Sequence, residues 1–199
     1  MANDDPFERF QVLGANLRNI ISGFGSFGLL GSRIMIEEQL GVPGPDGMIQ
    51  VHPETWYPLR GNLRALERVQ KEFGELVLRQ TAASVPKNAR FPPTIADIQT
   101  GLESVNVAYH MNHARDGQPM FVLETRQMLE GIGDYLCTRT EGRREILCRC
   151  TTPYPCSFDQ GLLLAMAQRF EPSASLTHLD STRCRNQGGP SCTYAITWK

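Results

Sequence analysis

"PYPCSFDQGLLLAMAQRF", residues 153–170, is the stretch from which the fold is read. Apolar residues recur at helical spacing after Ser157, and Gln160 three positions on would complete a capping box with it, so the spacing predicts a helix beginning near Ser157. Upstream, "QPMFVLE" (118–124), "GDYLCTRT" (133–140) and "REILCRC" (144–150) are rich in aromatic and β-branched residues and are separated by short polar turns containing glycine. They predict three successive strands of an antiparallel meander. Downstream, "ASLTHLD" (174–180) and "CTYAITW" (192–198) predict two more strands. The helix therefore interrupts a sheet in the order strand-strand-strand-helix-strand-strand, an α+β layout with helices on one face.

Before Gly117 the period changes from two to helical. Phe7, Phe10, Leu13, Leu17 and Ile20 follow helical spacing, "GFGSFGLLG" (23–31) loosens the chain, and "SRIMIEEQL" (32–40) predicts a second short helix. "GVPGPDG" (41–47) is a loop by composition, and residues 54–85, interrupted near Gly74, predict two helices that end at "PKNARFPP" (86–93). Ile95, Ile98, Leu102, Val105 and Tyr109 recur at steps of three and four, an amphipathic helix whose stripe continues to His113. The expected organisation is one domain over 1–199, with a mainly helical half (1–116) and a strand-rich half (117–199).

Composition excludes several classes. In 199 residues, 20 Lys and Arg nearly balance 21 Asp and Glu with no basic block, so a nucleic-acid partner is not expected. "MANDDPFERF" is polar and acidic rather than a leader, and no apolar run is long enough to span a bilayer. The expectation is a soluble, cytoplasmic protein, in which six cysteines should be thiols, buried or metal-bound, rather than disulfides.

Three of those cysteines form a candidate zinc site. Cys156 sits at the predicted helix start, where free N–H groups and the positive dipole end favour the thiolate that zinc requires. Cys184 and Cys192 flank "RNQGGPS", whose Gly188, Gly189 and Pro190 permit a reversal bringing both sulfurs towards one centre. Asp180, His178, Cys150 and Cys148 are the candidates for a fourth ligand. Buried structural sulfur is the competing reading, and an iron–sulfur site over Cys148, Cys150, Cys156, Cys184 and Cys192 is a third.

The run from Phe158 to the end, with "GLLLAMAQRF", a strand and "CRNQGGPSCTYAITW", resembles the C-terminal half of the vinyl-4-reductase (4-vinyl reductase) domain. That module binds small molecules and shares its fold with Golgi transport-particle subunits and haem-based nitric oxide sensors. The resemblance implies zinc on three cysteines and a glutamate: Cys156, Cys184 and Cys192 match the three cysteines, while Ser181 stands where the glutamate belongs. Asp180 is then the first choice for the fourth ligand and Cys150 the second.

"YLCTRT" carries a second likeness. Tyr135, Cys137 and Arg139 resemble the Tyr-x-Ser-x-Arg signature by which H-NOX haem sensors hold the haem propionates, with Cys137 in place of the serine. "AYHMNH" (108–113) supplies His110 and His113 as candidate axial ligands, although the family's axial position, counted back from Pro119, falls near Asn106.

The function expected from these readings is a regulatory domain, stabilised by zinc, that binds a small hydrophobic or aromatic ligand. Its candidate ligand-binding residues are Tyr109, His110, His113, Tyr135 and Arg139, with Trp56 and Phe121 as further lining. A haem-based gas sensor and a tetrapyrrole-related reductase or accessory factor are the alternatives. No nucleotide fingerprint occurs in a strand-to-helix context, so an enzyme of this kind would borrow its cofactor. Related domains pair through N-terminal helices, so "FERFQVLGANLRNIISGFG" (7–25) is a candidate homodimer surface, and a signalling partner would carry the output.

Overall fold

The computed structural model describes residues 6–89, 91–179 and 181–199. The chain opens with strand β1 (Phe10–Leu13), then helices α1 (Gly14–Gly23) and α2 (Gly28–Glu37). Short strands β2 (Val42–Pro43), β3 (Ile49–Gln50) and β4 (Trp56–Pro58) lead into α3 (Leu59–Phe73) and α4 (Glu75–Asn88). Helix α5 (Ile98–Met111) runs into β5 (His113–Arg115), β6 (Gln118–Pro119), β7 (Phe121–Val122) and β8 (Gln127–Met128). The last part is β9 (Tyr135–Arg139), β10 (Glu145–Cys150), α6 (Cys156–Phe170), β11 (Ser175–His178) and β12 (Cys192–Thr197).

The C-terminal sheet is antiparallel in the order β11-β12-β10-β9, with α6 inserted between its two halves as the sequence predicts. Tyr135, Ile146, Cys148, Cys150, Cys192, Tyr194 and Ile196 are buried on its inner face, while Leu136 and Leu147 stay exposed on the other, which is the period-two pattern of a sheet covered on one side. The predicted first strand of the meander goes elsewhere. Its residues divide between β6, which pairs with β5, and β7, which pairs with β8 in a separate hairpin.

The front half is not purely helical. Phe10–Leu13 forms β1, the centre of a second sheet with β4 on one side and β5 on the other. Phe10 and Leu13 satisfy helical spacing, but Phe10 and Val12 also alternate inward, and backbone pairing on both sides decides in favour of the strand. The helix begins only at Gly14, where an added Cβ would lie 2.0 Å from the His52 carbonyl oxygen, so no other residue fits this crossing. Leu17 and Ile20 are fully buried within the chain, so the stripe offered above as a dimer surface belongs to its own core.

Helix α6 is the axis of the molecule. Its buried residues include Phe158, Asp159, Gly161, Leu162, Leu163, Met166 and Ala167, because α4 and α5 cover the sides that the sheet does not. It starts one residue earlier than predicted, after Pro155, and no side chain caps it. Ser157 lies inside the first turn and its hydroxyl donates instead to Gln70 Oε1 at 2.5 Å. A capping box does occur at α5, where Asp97 accepts from the Thr100 N–H at 2.8 Å.

The α4–α6 crossing depends on Gly161, where a Cβ would lie 2.1 Å from the Arg79 carbonyl oxygen. Gly161→Ala should force the two helices apart at a cost of about 2 kcal/mol, within the usual range for overpacking. Urea denaturation is expected to show a lower midpoint with an unchanged slope; an unaltered midpoint would contradict this packing.

Candidate ligand cavity and thiol centre

Helices α5 and α6 and strand β9 bring a cluster of aromatic side chains together. Tyr109, Tyr135, Tyr154, His113 and Phe158 are all buried, with Tyr109 edge-on to Tyr135 at 5.3 Å and Tyr154 stacked on Phe158 at 4.9 Å. Their polar atoms are satisfied within the protein. Tyr109 Oη donates to the Ile132 carbonyl at 2.7 Å and Tyr135 Oη to Asp159 Oδ1 at 2.6 Å. A carbonyl can only accept, so the 2.6 Å contact between His113 Nδ1 and the Tyr109 oxygen places the ring proton on Nδ1. Nε2 then accepts from Tyr154 Oη at 2.8 Å, and Tyr154 Oη accepts from Asn62 Nδ2 at 3.2 Å.

Beside this cluster lies a cavity of about 80 Å³, lined by Val105, Tyr109, His113, Tyr135, Tyr154 and Phe158 among others. No Asp, Glu, Lys or Arg side chain lines it among the described residues. An engineered cavity of roughly 150 Å³ holds benzene, so this one, about half that volume, admits no more than a single small ring and is electrostatically suited to a neutral molecule. Tyr109, His113 and Tyr135, singled out from the sequence, are in its wall. Trp56 and Phe121 are not, nor is His110, whose Nδ1 meets the Asn106 carbonyl oxygen at 2.9 Å and whose Nε2 lies 3.7 Å from Asp134. Arg139 is exposed, its guanidinium 5.6 Å from the centre of the Trp198 ring.

The three cysteines converge at the start of α6. Cys156 opens α6, Cys192 opens β12 opposite Cys150 of β10, and Cys184 precedes a one-turn 3-10 helix over Arg185–Gln187. Gly188 in the left-handed region closes that turn, and the Gly189 N–H returns to the Cys184 carbonyl at 3.0 Å. Cys156 Sγ lies 3.2 Å from Cys192 Sγ and 3.8 Å from Cys184 Sγ, and all three sulfurs are buried within 4.8 Å of one another. Tetrahedral zinc with Zn–S bonds of about 2.3 Å separates its sulfurs by about 3.8 Å, so the donor set fits a thiophilic cation.

Of the fourth-ligand candidates, Cys148 is in a disulfide with Cys137, its direct partner across β9 and β10, which corrects the expectation that all six cysteines are thiols. His178 packs against Tyr194, and neither His178 nor Cys150 joins the sulfur cluster. Asp180 lies outside the described residues.

Sequence reasoning missed Asp159 and Arg185. Asp159, fully buried in the first turn of α6, takes one Arg185 guanidinium nitrogen on Oδ2 in a close ion pair. Arg185 also donates to Thr152 Oγ1 at 3.0 Å and, through Nε, to Cys192 Sγ at 3.4 Å. Burial pushes the Asp159 carboxyl up to about 7 against the opposing pull of Arg185 and Tyr135. The hydrogen bond from the Cys156 thiol, and then Arg185, pull the Cys192 thiol down against burial; the same hydrogen bond, with burial, pushes Cys156 up. The signal available in the sequence was an acidic residue in the first turn of an otherwise apolar helix.

No family model matches this sequence, and no curated protein does. Solved structures do. An H-NOX protein from S. oneidensis superposes with a TM-score of 0.62 at 14% identity, covering 94% of this chain and 96% of that one. An H-NOX protein from K. algicida in its Fe(II) unliganded form superposes at 0.58 and 12%, covering 94% and 96%. The fold is that of the H-NOX domains. The side chains around the cavity do not fit a porphyrin as they stand. The space admits no more than a single small ring, and both His113 nitrogens are engaged within the protein. Asn106, at the position the resemblance gives to the axial ligand, accepts from the Tyr135 N–H at 2.9 Å and donates to Asp134 at 3.2 Å. Tyr135, Cys137 and Arg139 point to three different partners: Asp159, Cys148 and Trp198.

Burial holds His113 neutral, lowering its pKa from 6.5 to about 4. Below 6.5 the unfolded chain takes a proton that the folded chain refuses until about 4, so this residue's contribution to stability falls between those values and is flat below. At about 1.4 kcal/mol per pKa unit the loss is about 3 kcal/mol. Asp159, with a raised pKa, acts in the opposite direction, so His113 is isolated by comparison with His113→Gln. Urea titrations at pH 7 and pH 4 should show a loss smaller by about 3 kcal/mol in the variant; equal losses would contradict a neutral, enclosed His113.

Proposed function

We propose that this chain is a ligand-binding sensor domain of the 4-vinyl reductase type, in which the H-NOX fold encloses a small organic ligand and a structural zinc ion rather than a haem. The observation that carries the reading is the convergence of the Cys156, Cys184 and Cys192 sulfurs at the start of α6, the helix that also lines an uncharged aromatic cavity with Phe158, Leu162 and Met166. Zinc there would tie the start of α6 to the turn before β12, and three thiolates of this spacing suit it. The cavity ligand is neutral and no larger than a single small ring. The tyrosine hydroxyl protons are all spent on protein acceptors, so the ligand is recognised best if it donates an O–H or N–H to an oxygen lone pair.

Haem-based gas sensing is the second reading, favoured by the shared fold with H-NOX proteins, one of them described in an Fe(II)NO state. Metal analysis and the visible spectrum of untagged protein separate the two. One zinc per chain without a Soret band is expected, and Cys184→Ser should lose the zinc together with several kcal/mol of stability. A Soret band with iron would favour haem. Calorimetry with phenol tests the cavity: Val105→Phe, which adds a ring to its wall, should abolish phenol binding in a folded protein, and undiminished binding would place the ligand elsewhere.

A further inference from the structure

The cavity wall and the thiol centre are joined by one chain of buried and part-buried hydrogen bonds. Tyr135 lines the cavity and donates to Asp159 Oδ1 at 2.6 Å. Asp159 Oδ2 takes the Arg185 guanidinium, whose Nε donates to Cys192 Sγ at 3.4 Å and whose other terminal nitrogen holds Thr152 at 3.0 Å. Asp159 is fully buried and the Arg185 side chain only 12% exposed, so the chain is largely withdrawn from water. A pair serving stability alone would be complete with Asp159 and Thr152. Here the guanidinium also binds a sulfur of the centre, and the carboxylate also binds a residue of the cavity.

We infer that Tyr135, Asp159 and Arg185 are positioning residues that relay occupancy of the cavity to the metal affinity of the thiol centre, and the reverse. The inference rests on the reading of cavity and centre given above. A ligand that donates to the Tyr135 oxygen makes the Tyr135 hydroxyl a stronger donor to Asp159, because hydrogen bonds in a chain polarise one another. The better-satisfied carboxylate holds Arg185 less tightly, and the guanidinium turns towards the Cys192 sulfur. A thiolate that accepts a stronger hydrogen bond gives less electron density to a metal. Ligand and metal therefore weaken each other, by the same factor in both directions as linkage requires, and about fivefold is the low end of such couplings.

The test uses Cd²⁺, whose thiolate charge-transfer band reports binding at sulfur, and phenol, a single ring with one O–H donor. Cd²⁺ affinity is measured by competition with a chelator with and without saturating phenol, and phenol affinity by calorimetry with and without Cd²⁺. Wild type should show about fivefold weaker binding of each in the presence of the other. Tyr135→Phe, which keeps the ring but removes the oxygen to which the ligand donates, should bind phenol more weakly, still bind Cd²⁺, and show no mutual effect between the two. Arg185→Lys, which keeps the charge but cannot hold three partners, should bind both with no mutual effect and serves if the first variant does not fold. Independent binding in wild type, or an unchanged coupling factor in the variants, would overturn the relay while leaving the cavity and the centre in place. Absence of phenol binding would overturn the cavity reading and the relay with it, and absence of Cd²⁺ binding the thiol centre likewise.

Discussion

The buried pair of Asp159 and Arg185 is the constraint around which the C-terminal half is arranged. Neither charge is tolerable in the interior alone, and removing one partner of such a pair typically costs about 3–5 kcal/mol because the other is left uncompensated. Each partner therefore fixes an element. Asp159 sits in the first turn of α6, where unpaired N–H groups and the dipole favour an anion. Arg185 holds the turn between Cys184 and Cys192 against that helix start. With Tyr135 and Thr152 completing the carboxylate's partners, β9, the residues after β10, α6 and the turn before β12 are locked into one register.

The fold was legible where one period dominated. The central helix, β9 and β10, the terminal strands, the break at Gly74 and the stripe of α5 follow from spacing and turn residues. Misreadings fell where two patterns coincide. Phe10–Leu13 satisfies both helical and strand spacing, and only its partners β4 and β5, 43 or more residues away, decide between them. Ser157 has the chemistry of an N-cap, but Pro155 sets the helix start and Gln70 takes the hydroxyl.

The candidate site was legible in its sulfurs and partly in its aromatics. Position and turn chemistry single out Cys156, Cys184 and Cys192, the family resemblance joins them into one site, and the structure brings their sulfurs together. Asp159 and Arg185 are not singled out, because a buried ion pair between residues 26 apart has no local signature. The cross-strand pairing of Cys137 with Cys148 needed the register of β9 and β10, which neither strand's own sequence encodes. His110 and His113, both offered as axial ligands, part company in the structure: His113 faces the cavity and His110 faces Asn106 and Asp134.

The likeness to H-NOX proteins at 14% identity or less concerns the backbone, and the contents of the cavity are set by side chains that the fold does not dictate. Here buried tyrosines and a neutral histidine occupy the centre and thiols gather at the start of α6. Anomalous X-ray scattering across the zinc edge, from crystals of the untagged protein, addresses this most directly. The account requires one zinc peak bonded to Cys156, Cys184 and Cys192 and a cavity free of porphyrin. A porphyrin ligated by His110 or His113, or thiols with no metal between them, would contradict it.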